Sequence, residues 1–292
     1  MTCTALGLGL AFAAGLFFGL SDTFVRAASV KLRPSQSLMI SLIVGTPILW
    51  LAAASNGVLL LDRYAAFSFI AAGVLNFIVG RYLFYLAITY SGATTASIAT
   101  SPVVVFSSIL AWVLLGEELT YKQAAGVVLV MIAVYLVYDR PSGKPMHGGN
   151  STIGVIAGLT SAVVFSVTSL LVRMGAGYHG GDPVTGAAIS YTTALLIMIP
   201  LVPKLSLGGV LSSRRSLYYM VLAAAVVSLA QLTRYKAFSF CRVAEVSVLI
   251  SLFPIHTLLF SSLLSGELRE NPEVRHVFAV LLAVTGVLLA ST

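Results

Sequence analysis

The stretch from Arg81 to Gly126 reads RYLFYLAITYSGATTASIATSPVVVFSSILAWVLLGEELTYKQAAG. It contains an arginine inside an apolar run, a short break at Ser91-Gly92, a second apolar run with Ser101-Pro102, and then Gly116-Glu117. From Arg234 to Gly286 the same features return in the same order, in RYKAFSFCRVAEVSVLISLFPIHTLLFSSLLSGELRENPEVRHVFAVLLAVTG. An ordered set of features that occurs twice predicts a chain made of two related halves.

The composition is that of a chain that faces lipid. Of its 292 residues 58% are hydrophobic and 9% are charged, whereas soluble domains carry about 25% charged residues. The 17 basic and 10 acidic side chains cannot form a solvated shell around so much apolar surface. The net charge of +7 does not indicate nucleic-acid binding, because the basic residues are scattered over many short loops. We therefore expect the lipid bilayer, and no nucleic acid, as a partner.

Ten apolar runs approach the length of about 20 residues that crosses the hydrocarbon core of a bilayer. Turn residues or charges separate them, and no soluble domain fits into the loops. The sequence predicts an all-α polytopic membrane protein with ten transmembrane helices, at 5–26, 36–55, 65–89, 93–115, 121–138, 152–174, 184–203, 216–239, 243–264 and 274–290. The polar link rich in Pro, Gly and charge predicts a first five-helix repeat at 1–139, a linker at 140–150 and a second five-helix repeat at 151–292.

The first and sixth predicted helices share a pattern. Phe18-Gly-Leu-Ser21-Asp-Thr-Phe-Val-Arg26 and Phe165-Ser-Val-Thr168-Ser-Leu-Leu-Val-Arg173 have Phe, a small residue, Ser or Thr, and Val-Arg at identical spacing. Since each half has five helices, an odd number, the second half must enter the membrane in the opposite sense. We therefore predict two inverted repeats around a central cavity, as in many secondary transporters. The alternative is a duplication that only stabilises a helix bundle.

These residues resemble the ten-helix EamA-type branch of the drug/metabolite transporter superfamily. The resemblance rests on the Phe pattern of the first helix, the Ser-Pro of the fourth, the Leu-Leu-Gly-Glu at its end and the Gly-rich fifth helix, and it covers nearly the whole chain. Within that family the chain is similar to a bacterial exporter of aromatic amino acids and other small metabolites. The resemblance implies a ten-helix basket with a central cavity, located in the bacterial inner membrane, which exports its substrate without ATP.

Two predicted helix faces carry aromatic side chains at i, i+4 and i+7. They lie on the third and eighth helices and consist of Ile78, Tyr82 and Tyr85, and of Gln231, Tyr235 and Phe238. The rings are suited to stack on a flat or apolar substrate, while hydroxyl and amide groups bind its polar end. The alternative for the tyrosines is the aromatic belt at the membrane interface.

Three charged residues lie well inside predicted helices. Arg81 and Arg234 face a cavity, since lipid exposure of a charge is costly, or else extend to the membrane surface. Asp22 either carries a coupling proton or pairs with Arg26 one turn away. With the neighbouring serines, the predicted substrate-binding residues are Tyr82, Tyr85, Gln231, Tyr235, Phe238, Ser21, Asp22, Ser101, Ser251, Arg81 and Arg234.

Pro102 and Pro254 are the predicted hinge residues. Each removes a backbone donor and clashes with the preceding turn, so the fourth and ninth helices should kink near their middles. Carbonyl groups freed at such a kink are tolerated in a membrane where they face a cavity. Ser101 and Ser251 are therefore expected to line it.

Motifs of other function classes do not occur in the sequence. It has no HExxH, GxSxG or GxGD motif, no P-loop and no CxxC pair. We therefore expect no enzyme, no cofactor and no metal, but a monomer that binds a small-molecule substrate. The aromatic faces favour export of aromatic or large neutral amino acids by alternating access. The alternatives are a carrier of anionic metabolites such as sugar phosphates or nucleotide sugars, with Arg81 and Arg234 as the cations, and a channel-like facilitator.

Two observations disagree about the orientation in the membrane. The odd-numbered loops carry more Lys and Arg than the even-numbered loops, which places both termini outside by the positive-inside rule. The family resemblance implies cytoplasmic termini, and both orientations stay open.

Overall fold

The computed structural model describes residues 4–57, 61–115, 121–138, 144–146, 150–200, 213–263 and 273–290. Ten helices and no strand occur in these ranges. The helices are α1 Ala5–Ala28, α2 Pro34–Ser55, α3 Arg63–Ser91, α4 Ala93–Thr100 with Val103–Leu115, α5 Tyr121–Tyr138, α6 Ser151–Arg173, α7 Pro183–Met198, α8 Arg214–Phe240, α9 Val243–Ile250 with Phe253–Leu263, and α10 Val274–Ala290.

The ten predicted spans correspond to these ten helices. Seven helices are at least 18 residues long and apolar enough to cross a membrane, and α5, α7 and α10 contribute shorter apolar stretches. The prediction of an all-α polytopic membrane protein is thereby confirmed. Residues 201–203 of the predicted seventh span, and 140–143 and 147–149 of the predicted linker, lie outside the described residues.

Polar side chains satisfy the free N–H groups in the first turns of several helices. At the start of α1, Gly7 N donates to Thr4 Oγ1 at 3.2 Å, and at the start of α6, Thr152 N donates to Asn150 Oδ1 at 2.8 Å. At α9 the Glu245 carboxylate accepts a hydrogen bond from the backbone N–H three residues earlier, at 2.8 Å. These caps separate helices that would otherwise merge into longer apolar runs.

Each main contact between a helix of the first half and a helix of the second half has a counterpart in which the two halves change places. α1 packs along α8, and α6 packs along α3 in the same way. α2 packs against α7, and α5 packs against α10. The first segment of α4 contacts the second segment of α9, and the second segment of α4 contacts the first of α9. This pairing is the one expected for two five-helix repeats that correspond helix by helix.

Small residues bring the central helices close together, as is common in membrane bundles. A Cβ added to Gly154 would lie 2.9 Å from Ser91 Cβ, and one added to Gly158 would lie 2.7 Å from Ala99 Cβ. Gly92 has a φ of 91°, a conformation that favours glycine, and joins α3 to α4 without an intervening loop. The end of α3 and the start of α4 are therefore packed tightly against α6.

Both central broken helices are interrupted at corresponding places. α4 is interrupted at Ser101–Pro102 and α9 at Ser251–Leu252, 150 positions later in the chain. Pro102 lies within the interruption. Pro254 is the second residue of the next segment, where a missing N–H is tolerated. Both helices thus have the predicted irregularity near their middles.

Candidate functional site

A cavity lies between the two repeats, at the level of the interruptions in α4 and α9. Residues of α1, α3 and α4 line it from the first repeat, and residues of α6, α8 and α9 line it from the second. Aromatic rings form much of its wall. Phe84 of α3 contacts Phe165 of α6 and Phe253 of α9 edge to face, with ring centroids 6.1 and 6.3 Å apart. Phe18 and Phe238 complete this apolar wall.

Equivalent lining positions of the two repeats carry different side chains. Asp22 of α1 corresponds to Ser169 of α6, since each follows the repeated phenylalanine, Phe18 or Phe165, by one turn. Around the interruptions, the lining residues Thr100 and Val103 of α4 correspond to Ile250 and Phe253 of α9. The backbone frame of the cavity is therefore symmetric, whereas its polar chemistry is not.

Arg81 holds its guanidinium group against aromatic rings. The residue is 3% exposed, and its Cζ lies 5.4 Å from the ring centroid of Phe18, 5.8 Å from that of Tyr85 and 5.9 Å from that of Phe165. Ring faces stabilise a desolvated cation. Among the residues that the structure describes, no hydrogen-bond acceptor pairs with it. Arg81 lines the cavity, and its N–H donors have no hydrogen-bond partner in the described ranges.

Arg234 is held by hydrogen bonds. Its Nη1 donates to Gln231 Oε1 at 3.2 Å and, more weakly, to Asn76 Oδ1 at 3.5 Å, and its Nη2 donates to Ser169 Oγ at 3.1 Å. The Phe238 ring lies 5.5 Å from its Cζ. The two cavity arginines therefore differ: Arg234 is fixed by three side chains, and the Arg81 guanidinium contacts rings only.

Asp22 is a buried acid without a hydrogen-bond partner. The residue is 1% exposed, and neither carboxylate oxygen accepts a hydrogen bond from any described residue. The alternative that it pairs with Arg26 is not realised, because Arg26 Nη1 donates instead to the carbonyl oxygens of Ile88 and Thr89, both at 3.0 Å. A buried carboxylate without a hydrogen bond is costly unless it takes up a proton or a ligand donates to it.

The model of the EamA-like transporter family matches residues 5–139 and, a second time, residues 152–292. The chain belongs to the EamA-like transporter family. It is therefore an integral membrane protein of a transporter family with two copies of the family's repeat, and the suggested family is confirmed.

Two further comparisons concern a relative and the fold. The chain is 33% identical over 120 residues to "Probable purine permease 4" of Arabidopsis thaliana, a match that covers 38% of this chain and 30% of the relative. This chain thus spans about a third of that relative's length. A solved crystal structure superimposes with a TM-score of 0.69 and 17% identity, over 97% of this chain and 96% of the other. That likeness shows a shared fold.

Several predicted site residues of this EamA-like transporter line the cavity: Asp22, Arg81, Arg234 and Phe238. Arg81 and Arg234 are buried and lie among cavity residues. Gln231 lies behind the cavity and binds Arg234. The hydroxyl of Ser21 donates to the backbone oxygen of Ala223 and ties α1 to α8.

Other predicted residues are not in the cavity wall. Tyr82 is 38% exposed and points away from the cavity. Tyr85 and Tyr235 are fully buried behind it, where their hydroxyls meet serines of α2 and α7. Ser101 and Ser251 are buried at the interruptions and do not line the cavity. The two aromatic faces thus pack mainly against other helices.

The arginines do not occupy equivalent positions, although the Arg-Tyr pairs look alike in sequence. Tyr85 OH donates to Ser41 Oγ at 3.4 Å, and Tyr235 OH donates to Ser190 Oγ at 3.0 Å, so Tyr85 and Tyr235 correspond. These tyrosines are 150 positions apart, as are the starts of α4 and α9. With that offset, Arg81 corresponds to Gln231, and Arg234 lies one helical turn further along its helix.

Asn76 is a cavity residue that the sequence patterns do not reveal. It lies in the π-helical turn Val74–Arg81 of α3, five residues before Arg81. In a regular α-helix two such residues would be separated by about 140° around the axis. The wider π-helical turn brings both to the cavity side. Phe84, Ser247 and Phe253 were missed as well, because their spacing is that of ordinary helix packing.

Proposed function

We propose that this EamA-like transporter is a secondary transporter of the bacterial inner membrane that exports amino acids with aromatic or large neutral side chains by alternating access. The observation that carries the proposal is the pair Arg81 and Asp22. Both face one cavity, and both lack a hydrogen-bonding partner among the described residues. A zwitterionic amino acid supplies a carboxylate for Arg81 and an ammonium group for Asp22.

The apolar wall supports a large side chain on this substrate. Phe18, Phe84 and Phe165 surround the space in front of Arg81, and Phe253 lies opposite Phe84. Ring edges and faces bind an aromatic or branched aliphatic side chain better than a hydrated polar one. The proposed substrate therefore places its charged end at Arg81 and Asp22 and its side chain among the phenylalanines.

The paired architecture supports alternating access. The largest sets of contacts between helices of one repeat and helices of the other have equivalents under the exchange of halves. Two halves that exchange slightly different packings expose a central site first to one side of the membrane and then to the other. The whole path lies within one chain, so the proposal requires no oligomer.

Anionic metabolites are a weaker alternative. Two arginines line the cavity, but Arg234 is already bound by Asn76, Gln231 and Ser169. Asp22 would repel a phosphate that binds Arg81. A sugar phosphate would therefore meet one available cation and one unfavourable anion.

A nucleobase is the second candidate substrate, because a relative of this chain is named a purine permease. The structural feature that favours it is the set of phenylalanine rings, which can stack on a purine as well as on an aromatic side chain. A neutral base offers no charged group to Arg81 or Asp22, and for this reason we place amino acids first.

Flux in proteoliposomes tests the proposal. The purified protein is reconstituted and offered radiolabelled phenylalanine, tyrosine, leucine, adenine and glucose 6-phosphate, with excess unlabelled compound inside for counterflow. We expect saturable flux of the three amino acids. Absence of amino-acid flux would overturn the proposal, saturable adenine flux alone would favour the nucleobase, and linear flux that never saturates would favour a channel-like facilitator.

A further inference from the structure

The end of the cavity at Arg234 has a polar surface that the proposed binding of an amino-acid backbone does not use. Asn76 and Arg234 both line the cavity there, and Gln231 supports Arg234 from behind. Asn76 and Gln231 are fully buried and Arg234 is 5% exposed. Buried polar groups normally have partners, so unpartnered ones require an explanation.

The orientation of both amides follows from the chemistry of arginine. A guanidinium group only donates hydrogen bonds. Since Arg234 Nη1 lies 3.5 Å from the Asn76 side chain and 3.2 Å from the Gln231 side chain, both amides must turn their oxygen atoms towards it. Their NH2 groups then point elsewhere. Neither Asn76 Nδ2 nor Gln231 Nε2 has a hydrogen-bond partner in the described part of the chain.

The groups offered at this end of the cavity are therefore donors. Asn76 contributes an NH2 group, and Arg234 contributes those N–H groups that are not bound to protein oxygens. The hydroxyl of Ser169 accepts from Arg234 and donates to the backbone oxygen of Phe165, so it is already occupied. The described acid that lines the cavity is Asp22 of α1, and it makes no hydrogen bond with these groups. A ligand group that binds here must be an acceptor.

We propose that Asn76 and Arg234 form a second polar subsite, which binds a hydrogen-bond-accepting group on the far end of the substrate's side chain. A ring nitrogen or a carbonyl oxygen has the required chemistry. This inference rests on the proposed function, in which Arg81 and Asp22 bind the amino and carboxyl groups and the phenylalanines contact the side chain. It selects, among large amino acids, those whose side chain ends in an acceptor.

The π-helical turn of α3 is the structural basis of this subsite. Without the wider turn between Val74 and Arg81, Asn76 and Arg81 would not share one face of the helix. α8, the partner helix in the other repeat, is α-helical throughout. The subsite therefore joins one residue of each repeat, and the place of Asn76 in it depends on a π-helical turn that α8 lacks.

Two amino acids of nearly identical shape test the proposal: phenylalanine and 3-(4-pyridyl)alanine, in which a nitrogen replaces the C–H at the end of the ring. We expect the protein to bind pyridylalanine about tenfold more tightly, the effect of one buried hydrogen bond. Asn76→Asp keeps an oxygen for Arg234 and removes the NH2 donor, so the ratio of the two Kd values, both measured in this variant, should fall to about one. Asn76→Leu is the second variant, and Val79→Leu, on the exposed side of the same turn, is the control.

Each result has a defined meaning. Equal binding of the two amino acids by the unmodified protein would overturn the subsite, since a water molecule then satisfies Asn76. A preference that survives in both Asn76 variants would overturn it too. If neither amino acid binds, the proposed function fails, and adenine, whose ring nitrogens are acceptors, becomes the probe. If adenine binds and Asn76→Asp abolishes its binding, the subsite is supported without the proposed function. If Asn76→Asp leaves adenine binding intact, or if adenine does not bind at all, the subsite is overturned.

Discussion

Arg26 Nη1 donates hydrogen bonds to the carbonyl oxygens of Ile88 and Thr89, both at 3.0 Å, at the end of α3. Its Nη2 donates to the carbonyl oxygen of Lys144 at 2.8 Å. The last carbonyl groups of a helix lack partners within the helix and carry the negative end of its dipole. One arginine of α1 thus caps α3 and holds residue 144, between the two repeats, against it.

Arg173 has the corresponding place in the second repeat, with one difference. Its Nη1 donates to the carbonyl oxygen of Phe238 at the end of α8, as Arg26 does at the end of α3. Tyr178 stacks on it at 5.5 Å, and the residue is partly exposed, whereas Arg26 is 6% exposed. Because the repeats are inverted, the two caps lie on opposite sides of the membrane.

The first prediction concerns the stability that these caps provide. Hydrogen bonds to charged groups contribute roughly 1.5–3 kcal/mol each, and bonds that share one side chain are not additive. We expect Arg26→Ala to lower the free energy of unfolding by roughly 2–4 kcal/mol. Arg173→Ala should cost about half as much, because it loses one described bond. Thermal melts in detergent show which of the two variants loses more stability. Arg63→Ala, at an exposed position, is the control. Equal losses for both caps would contradict the assignment.

A second prediction concerns close helix contacts in α1. A Cβ on Gly19 would lie 2.6 Å from His256 Cβ and 2.8 Å from Thr257 N of α9, so Gly19→Ala must push the two helices apart. Overpacking of this kind costs about 1–3 kcal/mol. Gly9 on the same helix has no atom within 4 Å of such a Cβ. Gly9→Ala should therefore stabilise by roughly 0.5–1 kcal/mol through helix propensity. Melts of the two variants that shift in the same direction would refute this contrast.

Much of the fold is predictable from the sequence, because the membrane restricts the possible structures. Ten apolar runs of suitable length can only be helices in a bilayer, and the Phe18 and Phe165 patterns relate the first helix to the sixth. Both phenylalanines in fact line the cavity. The repeated motif thus includes two wall residues, although neither phenylalanine was among the predicted site residues.

The alignment of the third and eighth helices was not predictable in the same way. The Arg-Tyr pairs at Arg81 and Arg234 match in sequence, yet Tyr85 and not Tyr82 corresponds to Tyr235. Helix periodicity assumes 3.6 residues per turn, and the π-helical turn of α3 changes which residues face the cavity. The sequence carries no visible mark of that turn. For this reason Tyr82 was expected in the wall and Asn76 was not.

The third prediction tests the assignment of Asp22 and Arg81 to the two charges of the substrate. Loss of one charge-assisted hydrogen bond of about 1.5–3 kcal/mol corresponds to a roughly 10–150-fold weaker Kd. Asp22→Asn should weaken the binding of phenylalanine and of phenethylamine by such a factor, because both carry an ammonium group. It should leave the Kd for 3-phenylpropionate unchanged. Arg81→Gln should weaken the binding of phenylalanine and of 3-phenylpropionate, because both carry a carboxylate, and leave the Kd for phenethylamine unchanged.

Competition binding in detergent measures these constants, with Val79→Leu, on the exposed side of α3, as the control. Equal effects of Asp22→Asn on the amine and on the acid would show that this carboxylate does not contact the ammonium group. The three ligands carry the same phenyl ring, so a general loss of folded protein would reduce the binding of all three together.

The fourth prediction concerns the interruptions as hinges. Pro102 lies in the interruption of α4, and Pro254 lies just after that of α9. Proline alone does not interrupt a helix in this protein, since Pro47 lies inside the continuous helix α2. The paired interruptions coincide instead with the cavity level, where Thr100, Val103, Ile250 and Phe253 line it. We therefore expect the prolines to matter for movement of the segments more than for their folding.

Pro102→Ala and Pro254→Ala should each lower the rate of counterflow several-fold. The free energy of unfolding should change by less than about 1 kcal/mol, because an interruption that already lacks helical hydrogen bonds gains little from a restored N–H. Pro47→Ala is the matched control, a proline in a helix of similar length without an interruption, and should leave counterflow unchanged. Full transport by both hinge variants would show that the interruptions are static features of the cavity wall. If Pro47→Ala lowers the rate of counterflow as much as the two hinge variants do, prolines elsewhere in the bundle affect transport equally. The interruptions at the cavity would then not act as specific hinges.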